Sequence, residues 1–288
     1  MTTRQPFEEH RAHLTAVAYR MLGSLAEADD AVQEAWLRMN RSDVSDVRNM
    51  RGWLTTVVAR ICLDMLRARS AHPEQPLDEA LDVTAARRVV EPVDPEQEAV
   101  LADSIGVALL VILQTLSPAE RLAFVLHDMF DLPYSEIAPM VGRSENTAAQ
   151  LAARARRRVR GKTPDAATDF VQQRRLVEAF LAAARDGDFD ALLELLDTDV
   201  VLRVDAAAAG KDTTVRGAKA VAANARMFSA NARFAEPAQI DDGVGIVVAP
   251  SGRLKLVLRF GVRDNTITEI FIDADPQRLR RFNFAVLD

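Results

Sequence analysis

Residues 133–160 read PYSEIAPMVGRSENTAAQLAARARRRVR, two helical patterns that meet at Gly142. Ahead of the glycine, Ile137, Met140 and Val141 recur at three- and four-residue steps, the inner face of a short helix. Beyond it, Ala148, Leu151, Ala152, Ala155 and Val159 form one stripe of a second helix. Glycine tolerates the tight turn such a junction needs. Ser144 stands where its hydroxyl can accept the Thr147 amide and cap the second helix. Pro139 is discordant, since a proline inside a helix deletes one backbone hydrogen bond, at smaller cost near the first turn. Scaffold helix, glycine turn and second helix together predict a helix-turn-helix.

The front of the second helix carries Asn146, Gln150, Arg154, Arg157 and Arg158, and Arg143, Ser144 and Thr147 lead into its first turn. Amide side chains pair with adenine edges, and arginines with guanine or phosphate, so this face suits a DNA major groove. The whole chain has a net charge of -6, yet residues 141–162 hold seven basic side chains against Glu145 alone. Where the charge sits decides nucleic-acid binding more than its total.

The 288 residues suffice for two or three compact domains. Apolar residues at 49% and charged residues at 27% describe a globular chain with a proper core. Met1–His10 carries no basic leader, and no run of about 18 apolar residues occurs, so the expectation is a cytoplasmic protein without a membrane contact. Cys62 is the single cysteine and lies in an apolar helical run, which excludes an internal disulfide and a cysteine-based zinc site. No metal or cofactor is expected.

Outward from the helix-turn-helix, residues 1–70 read as a first helical domain. Phe7, Leu14, Val17, Ala18, Met21 and Leu22 recur helically, Gly23 and Ser24 interrupt, and a second helix runs from about Ala26 to Asn40. A polar loop precedes a third helix from about Met50 to Arg69. Residues 71–95 hold Pro73, Pro76, Pro92 and Pro95 and read as a linker. Helical periodicity returns over 96–162, and residues 163–288 form an α+β domain. There, helices at about Asp169–Arg185 and Phe189–Leu196 precede strands at Val200–Val204, Ile246–Val248, Leu254–Val262 and Thr266–Ile272, punctuated by Gly243, Gly245 and Gly252. The fold class is therefore multidomain, two all-α modules followed by an α+β domain.

The run Glu27-Ala-Asp-Asp-Ala-Val-Gln-Glu-Ala-Trp-Leu37 resembles the region 2 helix of extracytoplasmic-function (ECF) sigma factors of bacterial RNA polymerase. The resemblance implies that Asp30, Gln33 and Glu34 face the β′ clamp helices of core polymerase. It also implies that Trp53, Arg60, Asp64 and Arg67 grip the -10 element and that the loop Asn40–Val47 captures a flipped base. Leu116-Ser-Pro-Ala-Glu-Arg121, Asp131–Ala138 and Val141–Ser144 resemble region 4, which implies that the helix-turn-helix reads the -35 element. On that reading Arg143, Ser144, Asn146, Thr147, Gln150, Arg154, Arg157 and Arg158 are its DNA contacts.

Residues after about Asp169 resemble a SnoaL-like, NTF2-type cone, opened by Arg185-Asp-Gly-Asp-Phe-Asp190. ECF sigma factors with this appendage form a group in which the extra domain regulates sigma activity in cis. Two motifs are implicated: Asp205-Ala-Ala-Ala-Ala-Gly-Lys-Asp212, with alanines in place of the family's glycines, and Asp275-Pro-Gln-Arg-Leu279. Asp205, Pro276 and Leu279 are thus the regulatory candidates, and such a cone implies a cavity for a small apolar ligand. All four histidines, His10, His13, His72 and His127, precede this domain, so acid–base work would fall on Asp205, Glu236 or Asp273. Two alternatives stand beside the sigma factor. A ligand-responsive regulator would bind DNA tightly without polymerase, and a SnoaL-like isomerase or cyclase with a DNA anchor would show converging acids in a deep pocket.

Overall fold

The structure, a computed structural model, describes residues 4–45, 47–71, 106–161, 167–227 and 232–287. The linker after Ala71 and the start of the second helical module at 96 lie outside the described residues. Those described form two compact units, one of residues 4–71 and 113–158, the other of residues 106–112 and 159–287.

The first unit opens with α1 (Arg4–Leu22), α2 (Leu25–Arg41) and α3 (Met50–Ala71). Gly23, at φ 79°, separates the first two, and Ser24 caps α2 by accepting the Glu27 amide. The predicted stripes meet in one core. Phe7, Leu14, Val17 and Met21 pack with Ala28, Val32, Ala35 and Met39 and with Leu54, Val58 and Cys62, all at most 1% exposed. Each large side chain removed from water contributes about 1.5–3 kcal/mol, so this seam is what holds three otherwise marginal helices together. Trp36, half-buried, meets Phe7 edge to face at 5.1 Å at the rim of this core. Burial pushes the Cys62 thiol up to about 12, and the residue acts as a small apolar filler.

Next come α4 (Val107–Thr115), which runs from the second unit into the first, α5 (Pro118–Phe124), a π-helical turn Val125–Met129, α6 (Tyr134–Val141) and α7 (Glu145–Arg160). Ser117 and Glu120 close a reciprocal capping box on α5. Helix α5 packs against α3, and the buried Arg121 donates to the Met21 carbonyl at 2.9 Å.

The second unit contains α8 (Ala167–Asp186), α9 (Phe189–Leu195), β1 (Leu196–Val204), α10 (Ala206–Ala209), β2 (Thr213–Arg216), α11 (Ala218–Met227), β3 (Ala235–Ile240), β4 (Gly243–Val248), β5 (Leu256–Arg263), β6 (Thr266–Asp273), α12 (Pro276–Leu279) and β7 (Phe284–Ala285). Its strands form one sheet in the order β2-β1-β6-β5-β4-β3-β7, antiparallel except for the parallel β1–β6 pair. Asp264 and Asn265, both at positive φ, make the two-residue turn between β5 and β6. One sheet face carries Leu202, Ile246, Leu258, Phe260 and Ile270 into a core with Val177, Phe180 and Leu181 of α8 and Leu192 of α9. This is the α+β layout expected from the resemblance to a SnoaL-like, NTF2-type cone. Within this core Phe180 meets Phe260 edge to face at 5.3 Å.

Gly243 and Gly245 correct the sequence reading. They lie inside β4 instead of punctuating it, and a Cβ on Gly245 would stand 2.4 Å from the Leu258 carbonyl oxygen and 2.6 Å from Ile240 Cδ1. Close strand approach, not a turn, requires that glycine.

Candidate nucleic-acid interface

Gly142 sits in the left-handed region at φ 66°, so it ends α6 and turns the chain into α7. Ser144 Oγ accepts the Thr147 amide at 3.3 Å, the cap that the sequence predicts. Behind α7, Ala148, Ala152 and Ala155 are 0% exposed, and Ile137, Met140 and Val141 of α6 are buried as well.

In front, Arg143, Ser144, Asn146, Gln150, Arg154 and Arg157 are exposed and Thr147 is half-buried. Arg158 is exposed too, but its guanidinium reaches back to the Thr115 carbonyl at 3.4 Å and Glu120 Oε2 at 3.5 Å. Arg156 faces inward. It pairs with Asp128 at 2.6 Å and donates to the Tyr134 hydroxyl at 2.7 Å, while Tyr134 stacks on His127 at 3.9 Å between ring centres. The basic run thus divides: Arg154 and Arg157 are presented outward, and Arg156 and Arg158 tie α7 to the helices that orient it. Sequence spacing carries a hint of this, since Arg156 lies four residues after Ala152 and three before Val159, on the border of the apolar stripe.

On α2, Asp30 and Gln33 are exposed, and the half-buried Glu34 accepts from Arg38 at 2.9 Å. Their i, i+3, i+4 spacing gives them one common face. On α3, Trp53 is half-buried, while Arg60, Asp64 and Arg67 are exposed; steps of seven, four and three residues align all four along one side. Arg67 stands 3.9 Å from Asp64. Ile61, by contrast, is 5% exposed and belongs to the core. In the polar loop, Asp46 lies outside the described residues.

One cluster in this unit has no signal in the sequence. His13 Nε2 bonds to Thr55 Oγ1 at 3.0 Å and Arg51 donates to its Nδ1 at 3.1 Å. Phe130 meets the same imidazole edge to face at 5.3 Å, and the Arg20 guanidinium lies over the Phe130 ring at 5.1 Å. Burial first, then the charge of Arg51, hold His13 down to about 4. Its partners come from three distant chain segments, so no local pattern could have found it.

In the second unit the motifs around Asp205 and Asp275 meet. Asp205 Oδ2 accepts the amides of Ala274 at 2.7 Å and Asp275 at 2.9 Å, and its Oδ1 accepts the Ala208 amide at 2.9 Å, capping α10. Asp275 caps α12, Pro276 begins it and Leu279 is 7% exposed. The three candidate acids do not converge. Asp205 serves backbone amides, Asp273 is 2% exposed between Arg259 and Arg278, and Glu236 accepts the Ala108 amide at 2.8 Å. Among the described residues no group of three or more His, Cys, Asp and Glu could hold a metal ion, and no helix is long and apolar enough to cross a membrane.

Residues 6–72 match the Sigma-70 region 2 family model and residues 106–159 match Sigma-70 region 4. The chain is 38% identical over 273 residues to the probable ECF RNA polymerase sigma factor SigI of Mycobacterium tuberculosis, covering 94% of this chain and 92% of that protein. To the ECF RNA polymerase sigma factor SigJ of the same organism it is 39% identical over 213 residues, 69% of this chain and 64% of SigJ. The crystal structure of M. tuberculosis SigJ aligns with 94% of this chain and 96% of its own at 30% identity, with a TM-score of 0.46. A helix-turn-helix with an outward polar face, a three-helix module ahead of it in the chain and near full-length similarity to such proteins lead to one assignment: this chain belongs to the ECF sigma factors of RNA polymerase.

Proposed function

We propose that this protein directs core RNA polymerase to promoters, with α7 reading the -35 element, α3 and the loop before it holding the -10 element, and α2 docking on the β′ clamp helices. The observation that carries this reading is the division of α7 into a buried alanine back and an exposed front of Asn146, Gln150, Arg154 and Arg157. Amides and arginines on a helix front are the major-groove chemistry, and the first turn, with Arg143, Ser144 and Thr147, lies where such helices enter the groove. On α2, Asp30, Gln33 and Glu34 offer an acidic face to the polymerase. No catalytic step is assigned to the protein, and it acts where polymerase works, in the cytoplasm.

The C-terminal domain regulates this activity in cis, and Asp205, Pro276 and Leu279 are its regulatory candidates. Their support is the bonding of Asp205 to the chain that enters α12. By holding both motifs on one carboxylate, Asp205 makes them a single structural feature.

Run-off transcription with purified core polymerase on a library of genomic promoters tests both parts. Promoter-specific transcripts are expected only when core and this protein are both present, and removal of residues 169–288 is expected to change their yield. Transcripts that do not depend on this protein would contradict the first part. Equal yields from the full and shortened chains would contradict the second.

A further inference from the structure

Glu236, Val247 and Val257 stand side by side across β3, β4 and β5. Both valines are 0% exposed, so this stretch of the sheet is closed to water. Residues 106–112 cluster in the same compact unit, and Val107, Ala108, Leu110, Val111 and Ile112 are all buried. At the head of that run, Glu236 Oε2 accepts the Ala108 amide across a separation of 128 residues. The first turn of a helix leaves amides without intrahelical partners and carries partial positive charge, so a carboxylate there both accepts a bond and offsets the charge. Gly106 precedes α4 at φ 82°, and a Cβ on it would stand 3.1 Å from Glu236 Oε1.

The same strands meet residues 159–161, which cluster in that unit as well. The Val286 amide, just beyond β7, donates to the Val159 carbonyl at 3.0 Å, satisfying one of the last carbonyls of α7. A Cβ on Gly161 would stand 2.4 Å from Ala285 Cβ and 2.8 Å from Gln239 Oε1. Gln239 lies on β3 and pairs with Ala285 of β7.

We propose that β3 and β7 hold both ends of the region 4 segment, the start of α4 through Glu236 and the end of α7 through Gln239, Ala285 and Val286. Glu236 is then the positioning residue through which the C-terminal domain acts on -35 recognition. This inference rests on the cis-regulation reading and gives it a physical route. A domain on a loose tether acts by concentration alone, whereas one bonded to both ends of the DNA-reading segment passes a shift of its own strands to α7.

The test uses full-length Glu236→Ala and Glu236→Gln, read by hydrogen exchange at the Ala108 amide and by run-off transcription with core polymerase. Glu236→Ala is expected to speed exchange at Ala108 about tenfold, the effect of losing a charged helix cap, while amides of β5 stay unchanged. Transcription is expected to shift about fivefold, in the direction produced by removing residues 169–288, with Glu236→Gln in between because it keeps an acceptor without the charge. Unchanged exchange at Ala108 would overturn the inference, as would faster exchange with unaltered transcription when removal of the domain does alter it. If removal of the domain changes nothing, cis regulation itself fails and the inference falls with it; the exchange readout, which reports the cap independently, tells these cases apart.

Discussion

Helix α4 and all of α7 but its last residue lie within the region 4 match, yet their sequences follow opposite rules. Helix α7 alternates a small apolar back with a polar, basic front, and six of its sixteen residues after Ser144 that were predicted to touch DNA can be placed by that pattern alone: Asn146, Thr147, Gln150, Arg154, Arg157 and Arg158. Helix α4 reads VALLVILQT, apolar on every side, and Val107, Ala108 and Leu110–Leu113 are buried. An amphipathic helix declares which face it turns to water; an apolar one declares only that something covers it. The sequence therefore reveals the outward face of α7 and conceals the partner of α4, which is where Glu236 enters.

Substitutions should separate the two helices. The largest effect is expected in α4, where Leu110→Ala removes a side chain that is 1% exposed and should cost about 2–5 kcal/mol, seen as a lower urea midpoint. A neutral result would mean that α4 is not core. On α7, Asn146→Ala and Arg154→Ala should each weaken promoter binding by the polymerase complex by about 1–3 kcal/mol, yet leave stability within about 0.5 kcal/mol. Stability loss without loss of binding would reverse the roles drawn for the two helices. Ser144→Ala should cost about 1 kcal/mol in thermal or urea unfolding by opening the α7 cap. Arg157→Ala should lower affinity evenly across promoter sequences and reduce the salt slope by about 1, as loss of one phosphate contact does.

A smaller, pH-dependent effect belongs to the His13 cluster. The folded state holds His13 down to about 4 from an ordinary 6.5, so the unfolded chain binds the proton first. Stability from this site is present above pH 6.5 and is lost as pH falls from there towards 4. His13→Gln should flatten that part of the pH–stability curve relative to the parent chain, and identical slopes would remove the histidine from the account.

What could be read in advance follows from how local each feature is. Gly142, Ser144 and the stripe behind α7 are set within thirty residues, and the structure shows turn, cap and buried face at those positions. Strands β1, β4, β5 and β6 lie at the predicted runs for the same reason. Strand β3, AEPAQI, has no such signature: Pro237 lacks an amide for the ladder, and the strand exists because β4 and β7 pair with it on either side. Glu236 was consequently legible only as an acid, not as a cap on a distant helix. Arg156 and Arg158 likewise count towards a basic run until Asp128, Tyr134 and Glu120 are seen beside them.

The central claim is promoter reading by two modules in company with polymerase, and DNA footprinting with and without core polymerase on one responsive promoter tests it most directly. The account predicts two protected patches, upstream and downstream, that appear only with core present, the upstream patch alone fading in Asn146→Ala. A single tight footprint formed by the protein without core, unchanged when polymerase is added, would contradict it and favour a regulator that works on DNA by itself.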